Sequence, residues 1–455
     1  MPSSPDSTQA VSTLPMRSVL LIIGMTAAGF SLTLYVFYPG VMTYDAHYVY
    51  DDIAKGTFGD WQSPVMTLLW SLIDPIAPGS ASMFLLTATL YWLTFALLAF
   101  TIGRISIWPP VALLLLAASP PAFTYVGIIW RDVLFTIAWL LGSSLAFSVA
   151  GRHARLRMPI CAIALTLLVF GFLLRPNALL AAPLLGSYLL WPAQFLWRRA
   201  ILLYAPLGLA LFALLQFVYY GVLHATPQHP LQTFMVFDLG GISHFSKQNQ
   251  FPGIWTDQET ALIVSGCYQP TEWDVYWLQE PCLFVMNRLE SEKLFGTSAI
   301  VDAWIRAVAI HPVAYLHHRS AFMWNFLVRP NLTMWTMDIS NSSVSVLANR
   351  PGLAAVQALD AALKATPLSR AGSWLLACVA VFACAWSRRG TPPGAFAIAI
   401  CGSAIIYMLT FFAVGVASDF RYAYLAVLMT IAGGITIAAP IRRESKSSIL
   451  KKRPP

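Results

Sequence analysis

Charged residues are scarce in this chain of 455 residues. Asp, Glu, Lys and Arg together make up 11% of the sequence, whereas a typical soluble domain contains about 25%. Hydrophobic residues make up 58%. This balance excludes an ordinary soluble enzyme and indicates a membrane protein that crosses the bilayer several times.

Other signatures of known function classes are also missing. The sequence contains no phosphate-cradling loop, no metal-binding CxxC pair, no low-complexity tract and no repeat of fixed period. The net charge of +8 is not gathered into one basic stripe, because the basic residues lie at the ends of apolar runs. We therefore expect membrane lipids, and no nucleic acid, among the partners.

The apolar runs predict an all-α polytopic membrane protein. About ten runs are long enough to cross a hydrocarbon layer of about 30 Å. They cover residues 18–37, 80–103, 107–128, 133–150, 158–174, 178–196, 200–223, 371–387, 394–416 and 420–440. The first run lacks a small-residue cleavage site, so we interpret it as a retained span.

Three regions follow from the spacing of these runs. They are an N-terminal membrane module (1–223), an outer loop or cap (224–370), and C-terminal membrane helices with a basic tail (371–455). The apolar stretch 309–328 in the cap carries His317, His318 and Arg319 at its centre. Charges in the middle of a bilayer are costly, so we expect this stretch to be a helix on the membrane surface.

Charge is distributed unequally between the two sides of the predicted membrane. With a cytoplasmic N-terminus, every basic cluster in a short connection falls inside, as the positive-inside rule requires. Of the twenty Asp and Glu residues, only Asp6 and Glu444 fall inside. We therefore expect the function on the acidic outer face, and the location to be a bacterial inner membrane with the site facing the periplasm.

Two of the six cysteines lie in the outer loop. Cys267 and Cys282 are fifteen residues apart, and an oxidising compartment favours a disulfide between them. The other cysteines lie in predicted helices, where a small buried side chain is the simplest interpretation.

The first outer loop, "TYDAHYVYDDIAKG", has the spacing of a short helix that ends at Gly56. Asp45, Tyr48 and Asp52 share one stripe of this helix. Asp45 either complements the helix dipole or takes part in chemistry. A second short helix is predicted to begin at Pro64 in "DWQSPVMTLLWSLIDP".

Charged residues recur at the other short outer connections. These are Arg131 and Asp132 in "WRD", Arg175 in "RPN", and Asp419, Arg421 and Tyr422 in "DFRYAY". Arginine side chains at a membrane interface often have no function beyond placing their charged end in water. As a group, however, carboxylates suit deprotonation of a hydroxyl, and guanidiniums suit a phosphate.

With these motifs the sequence resembles the GT-C superfamily of integral-membrane glycosyltransferases, the branch of protein O-mannosyltransferases and lipid A aminoarabinose transferases. The resemblance rests on "YPGVMTYDAHYVYDDIAKG", "DWQSPVMTLLW" and "WRD", within about the first 180 residues, with support from "RPN" and "DFRYAY". It implies a polyprenyl-phosphate-linked sugar donor and transfer to a lipid, glycan or protein hydroxyl on the outer side.

The resemblance also implies roles for individual residues. Asp45 and Asp132 would be catalytic, Asp45 as the base and Asp132 as the acid that positions the acceptor. Arg421, Arg175 and Arg131 would bind the donor phosphate, and Tyr48, Asp52 and Tyr422 would contact substrate. No cofactor is implied with certainty. A divalent metal stays possible, although Ala46 and "WQSP" stand where relatives often carry a second acid and a histidine.

Three other functions remain open at this point. A polysaccharide polymerase or ligase of another multi-helix class predicts that loop arginines such as Arg288, Arg306 and Arg319 matter more than Asp45. A transporter of lipid-linked saccharides predicts mid-membrane charges and broken helices, and the sequence shows neither. A scaffold gives no reason for carboxylates to recur at short outer turns.

Overall fold

The computed structural model describes residues 14–334 and 351–440, and this part of the chain is all-helical. Its α-helices, in chain order, are α1 Met16–Phe37, α2 Tyr44–Lys55, α3 Pro64–Ile73, α4 Ser80–Ile102, α5 Trp108–Ala117, α6 Pro120–Phe123, α7 Arg131–Ser148, α8 Ala154–Leu174, α9 Ala182–Leu190, α10 Trp197–Gln216, α11 Gln232–Ser246, α12 Asp257–Ser265, α13 Phe284–Ser291, α14 Ser298–Ile310, α15 Pro312–Val328, α16 Pro351–Leu363, α17 Ala371–Trp386, α18 Pro392–Val414 and α19 Tyr424–Ala438.

Six apolar helical segments in the described residues are long enough to cross a membrane. They are Met16–Phe37, Ser80–Ile102, Ala154–Leu174, Trp197–Val222, Pro392–Val414 and Phe420–Ala438. The number rises to eight if two bent helix pairs each count as one span. The chain is thus a multi-pass membrane protein, and the predicted number of about ten helices is not confirmed. One reason is that α9 has only nine residues.

One predicted span is bent. The run 107–128, predicted to be long enough to cross the membrane, bends by 63° between α5 and the segment Pro120–Gly127 and counts as one span only if the two parts are taken together. The break coincides with Pro120 and Pro121, which cannot continue the hydrogen-bonding pattern of the preceding turn. Apolar composition alone gives no sign of this bend.

The two ends of the helix bundle differ in charge. At one end Arg388 donates to the carbonyl of Ile437 at 2.6 Å, and the carbonyl of Arg389 accepts from the amide of Phe195 at 2.7 Å. Arg104 and Arg152 line one cavity at this same basic end. Consequently the acidic connections, which join the opposite ends of the same helices, meet at the other end.

The helices α2 and α3 are the two short helices predicted for the first outer loop. Gly56 ends α2 with a φ of 63°, a conformation that glycine adopts without a Cβ penalty. The rings of Tyr50 and Trp70 pack at 5.2 Å between the two helices. The loop between α2 and α3 then runs beside residues that follow α10, where Gly59 bridges Thr226.

The cap contains helices α11 to α16 and the predicted disulfide between Cys267 and Cys282. The stretch predicted as a surface helix begins after a bend of 102° at the junction of α14 and α15. Arg319 of α15 donates to the carbonyl of Gly415 at 2.7 Å, and Pro330 bridges Arg370. Because Gly415 ends α18 and Arg370 precedes α17, α15 extends across the ends of these two helices.

Candidate active site

Asp45 lies in the first turn of α2 and is half-buried. Its carboxylate accepts a hydrogen bond from the Gln62 side chain at 3.0 Å, and Gln62 is only 5% exposed. The loop before Asp45 runs beside residues 127–130: Val41 donates to the carbonyl of Gly127 and accepts from the amide of Ile129. This pairing places α2 next to the start of α7.

Arg421 is the centre of the site. Its guanidinium forms an ion pair with Asp45 through Nη1 and a second ion pair with Asp419 through Nε at 3.2 Å. It also lies over the ring of Trp130, 4.8 Å from the ring centroid. Asp419 in addition accepts the backbone N–H of Arg421 at 3.0 Å, which fixes the turn. Two carboxylates, the Trp130 ring and the neighbouring Tyr422 therefore hold this cation.

A second ion pair lies deeper in the protein. Arg175 Nε is 2.9 Å from Asp132 Oδ1, and these residues are 8% and 4% exposed. Arg175 also donates to the hydroxyl of Tyr407 at 3.3 Å. The ring of Tyr422 lies 5.0 Å from the Arg175 guanidinium and 5.1 Å from that of Arg421. Tyr422 thus connects the two ion-paired groups.

Arg131 is the least engaged of the three predicted phosphate ligands. Its Nη1 donates to the carbonyl of Trp61 at 3.3 Å, and within the described residues its side chain makes no ion pair inside 4 Å. Its positive charge nevertheless acts on Asp45. Arg131 therefore influences the charge of Asp45 without pairing with it in the described residues.

Opposing effects set the charge state of the acids. Burial acts to raise the pKa of Asp45, but the guanidiniums of Arg421, Arg131 and Arg175 together outweigh it and lower that pKa. Burial raises the pKa of Asp419 in spite of Arg421. Burial likewise raises the pKa of Asp274 in the cap, which lies close enough to be influenced by Arg421 and Asp45. Asp45 is therefore ionised at neutral pH.

Two predicted substrate contacts lie elsewhere on α2. The Tyr48 hydroxyl accepts from the Gln228 side chain at 2.6 Å. The Asp52 carboxylate accepts from the Thr57 hydroxyl at 3.1 Å and from the amide of Gly59 at 3.3 Å. Seven residues of helix span about 10 Å, so one stripe of α2 carries Asp52 away from Asp45. Asp52 thus fastens the loop between α2 and α3 directly, and Tyr48 does so through Gln228, whose side chain accepts from the amide of Trp61 at 2.8 Å.

Aromatic residues of the cap lie over this region. Trp273 and Trp277 stack at 5.8 Å, and they contact Trp61 at 6.1 Å and Tyr44 at 6.0 Å. The backbone of Trp273 donates to Val416 at 2.9 Å, just before Asp419. The cap is thus attached directly to the turn that carries Arg421.

Gln62 and Asp274 were not predicted to belong to the site. Gln62 is the hydrogen-bond donor to Asp45, and Asp274 accepts from the Trp277 indole at 3.1 Å. A glutamine just before a helix-starting proline carries no chemical signature. Asp274 lies far from Asp45 in the sequence, so only the folded cap reveals its position.

The predicted catalytic acids are paired with arginines. In the described residues, no group of three or more His, Cys, Asp or Glu side chains is arranged to hold a metal ion. The carboxylates of Asp45 and Asp132 each meet an arginine instead of a second acid.

Comparison of the chain with protein-family models, curated proteins and solved structures found no match.

Proposed function

We propose that this protein is a membrane-embedded glycosyltransferase that moves a sugar from a polyprenyl-phosphate-linked donor to a hydroxyl of a lipid, glycan or protein acceptor. The observation that carries the proposal is the ion pair of Asp45 with Arg421, which are 376 residues apart in the chain. A base and a phosphate-binding cation thus meet at one end of the apolar helices.

Asp45 is the proposed general base. Its carboxylate removes the proton from the acceptor hydroxyl while the hydroxyl oxygen bonds to the anomeric carbon. The bond from that carbon to the phosphate oxygen breaks, and polyprenyl phosphate leaves with the electron pair. A positioned base of this kind contributes about 10²- to 10⁴-fold in rate.

Arg421 is the proposed ligand of the donor phosphate, with Arg131 as the second. A phosphate accepts two parallel hydrogen bonds from a guanidinium, so it competes with Asp45 for Nη1 of Arg421. When Arg421 turns to the phosphate, Asp45 loses its main partner while it stays half-buried. Burial then raises its pKa, and the carboxylate becomes a stronger base only when donor is bound.

We assign a positioning role to Asp132 and Arg175. Their mutual ion pair is nearly inaccessible, and through Tyr422 it sets the orientation of Arg421. In the roof of the site, Trp273 and Trp277 offer stacked ring faces. Such faces suit the apolar side of a sugar ring.

The proposal extends to topology. The shorter or bent segments α5–α6, α7, α9 and α17 join the acidic end to the basic end and would bring the number of crossings to about ten. The acidic end would then face the periplasm of a bacterium and the basic end the cytoplasm, following the positive-inside rule.

The polymerase or ligase alternative has less support. Arg288 pairs with Glu259 at 2.6 Å, and the fully buried Arg319 pairs with Asp238 at 2.6 Å. Both cations are therefore occupied by structural partners. Arg306 does line a cavity of about 360 Å³ in the cap. Of the three loop arginines, Arg306 is therefore the best residue for testing that alternative.

The direct test is an assay of the purified protein in nanodiscs with a panel of labelled polyprenyl-phosphate sugars, measuring released polyprenyl phosphate. Asp45→Asn should lower the rate of release by about 10²- to 10⁴-fold, whereas Asp51→Asn should retain it. Asp51 is the matched control because it lies on the same helix and pairs only with His47 at 3.3 Å on the surface. Full activity of Asp45→Asn together with loss in Arg306→Ala would instead support the polymerase alternative.

A further inference from the structure

A cavity of about 460 Å³ opens at the basic end of the bundle, far from Asp45. Its apolar walls include Leu97 and Phe100 of α4 and Leu156 and Ile160 of α8, and the residues Arg104 and Arg152 line it as well. The volume is within the range of about 300 to 1,000 Å³ typical of small-molecule sites. The cavity therefore combines apolar walls with two cations.

Four other arginines of the basic end interact with protein groups. Those are engaged as follows: Arg198 over Trp197, Arg199 over Trp191, Arg389 over Trp386, and Arg388 with the carbonyl of Ile437. In residues 14–334 and 351–440, the side chains of Arg104 and Arg152 make neither an ion pair nor a hydrogen bond to protein. No described acid lines the cavity. Two like charges thus share one cavity with no counter-ion from the described residues.

We propose that this cavity binds the phosphodiester headgroup of an anionic phospholipid. Guanidiniums donate paired hydrogen bonds to phosphate oxygens, and two of them reach this cavity from the connections after α4 and after α7. The apolar walls contributed by α4 and α8 take the first carbons of the acyl chains. Basic pockets between transmembrane helices recognise anionic headgroups in this way.

The site is independent of the proposed sugar transfer. It lies at the opposite end of the bundle, and none of its residues belongs to the group around Arg421. A bound lipid would hold the ends of α4, α7 and α8 together. Loss of lipid binding therefore leaves the assignment of Asp45 unaffected.

The test is native mass spectrometry of the purified full-length protein with added phosphatidylglycerol. Arg104→Gln combined with Arg152→Gln should weaken binding about thirtyfold, equivalent to about 2 kcal/mol for two arginine contacts. Arg198→Gln combined with Arg199→Gln is the control, because it removes the same charge from the same end of the bundle. It should leave binding unchanged.

Two further arms identify the ligand and keep the test decisive. Ile160→Trp fills the cavity while both arginines remain, and it should weaken phosphatidylglycerol binding as well. Phosphatidylcholine and soluble glycerol 3-phosphate should not compete. The proposal is overturned if both arginine double variants lose affinity equally, if phosphatidylcholine binds as tightly, or if glycerol 3-phosphate displaces the lipid.

Discussion

Replacing Asp45 by Asn should have opposite effects on binding and on transfer. In the described structure, Asp45 occupies Nη1 of Arg421, while Asp419 holds Nε. A phosphate must displace Asp45 before it binds Arg421. The substitution removes that competitor and removes the base at the same time.

The expected magnitude follows from the contact that is lost. A hydrogen bond to a charged group contributes about 1.5 to 3 kcal/mol, so polyprenyl phosphate should bind Asp45→Asn about tenfold to a hundredfold more tightly than the unaltered protein. Transfer should fall by about 10²- to 10⁴-fold. Equilibrium binding of radiolabelled short-chain polyprenyl phosphate in detergent measures the first quantity.

Two controls separate the base from the competitor. Asp419→Asn also frees part of Arg421, so it should tighten binding while transfer persists. Asp51→Asn removes a charge from the surface of the same helix and should change neither. Weaker or unchanged phosphate binding in Asp45→Asn would refute the competition between Asp45 and phosphate, because a merely structural Asp45 would lower affinity and transfer together.

Three further predictions concern stability. Cys267→Ser should lower the melting temperature, because a disulfide closing a loop of fifteen residues contributes about 3 kcal/mol; an unchanged melting temperature would show that the cap is held by packing alone. Arg319→Met leaves Asp238 buried without its main partner and should lower the free energy of unfolding by about 3 to 5 kcal/mol. Arg288→Gln on the surface should lower it by at most about 1 kcal/mol. Chemical denaturation of the two variants measures the difference. Burial raises the pKa of Asp360 from 3.8 to about 6, so the folded protein holds a proton that the unfolded chain releases. The contribution of Asp360 to stability is therefore fully present below pH 3.8 and is lost as the pH rises to about 6. Asp360→Asn should remove this part of the pH dependence of the melting temperature, and an unaltered pH profile would contradict the prediction.

Local signals in the sequence were sufficient for part of the fold. The Gly56 stop of α2, the proline start of α3 and the fifteen-residue spacing of the disulfide each depend on neighbouring residues only. The same holds for the charge difference between the two ends of the bundle. The bend after α5 was not predictable from hydropathy, because Pro120 and Pro121 lie within a run that is apolar as a whole.

The site was predictable as a set of residues but not as a set of pairs. Sequence reasoning placed Asp45, Asp132, Arg175 and Arg421 at outer connections. It did not predict that Asp132 pairs with Arg175 and that Asp45 pairs with Arg421. These pairings depend on which helices are neighbours in space. The prediction that Asp45 and Asp52 act together on one helical stripe also left out the rise along the helix axis, which separates them.

The most direct measurement of the central claim is photo-crosslinking with a polyprenyl phosphate that carries a photoreactive group beside the phosphate, followed by peptide mapping. We predict adducts in residues 44–62, 128–132 and 416–424, all of which should disappear when unlabelled polyprenyl phosphate is in excess. Adducts confined to the cap around Arg306, or to the cavity between Arg104 and Arg152, would contradict a donor site at Arg421 and Asp45.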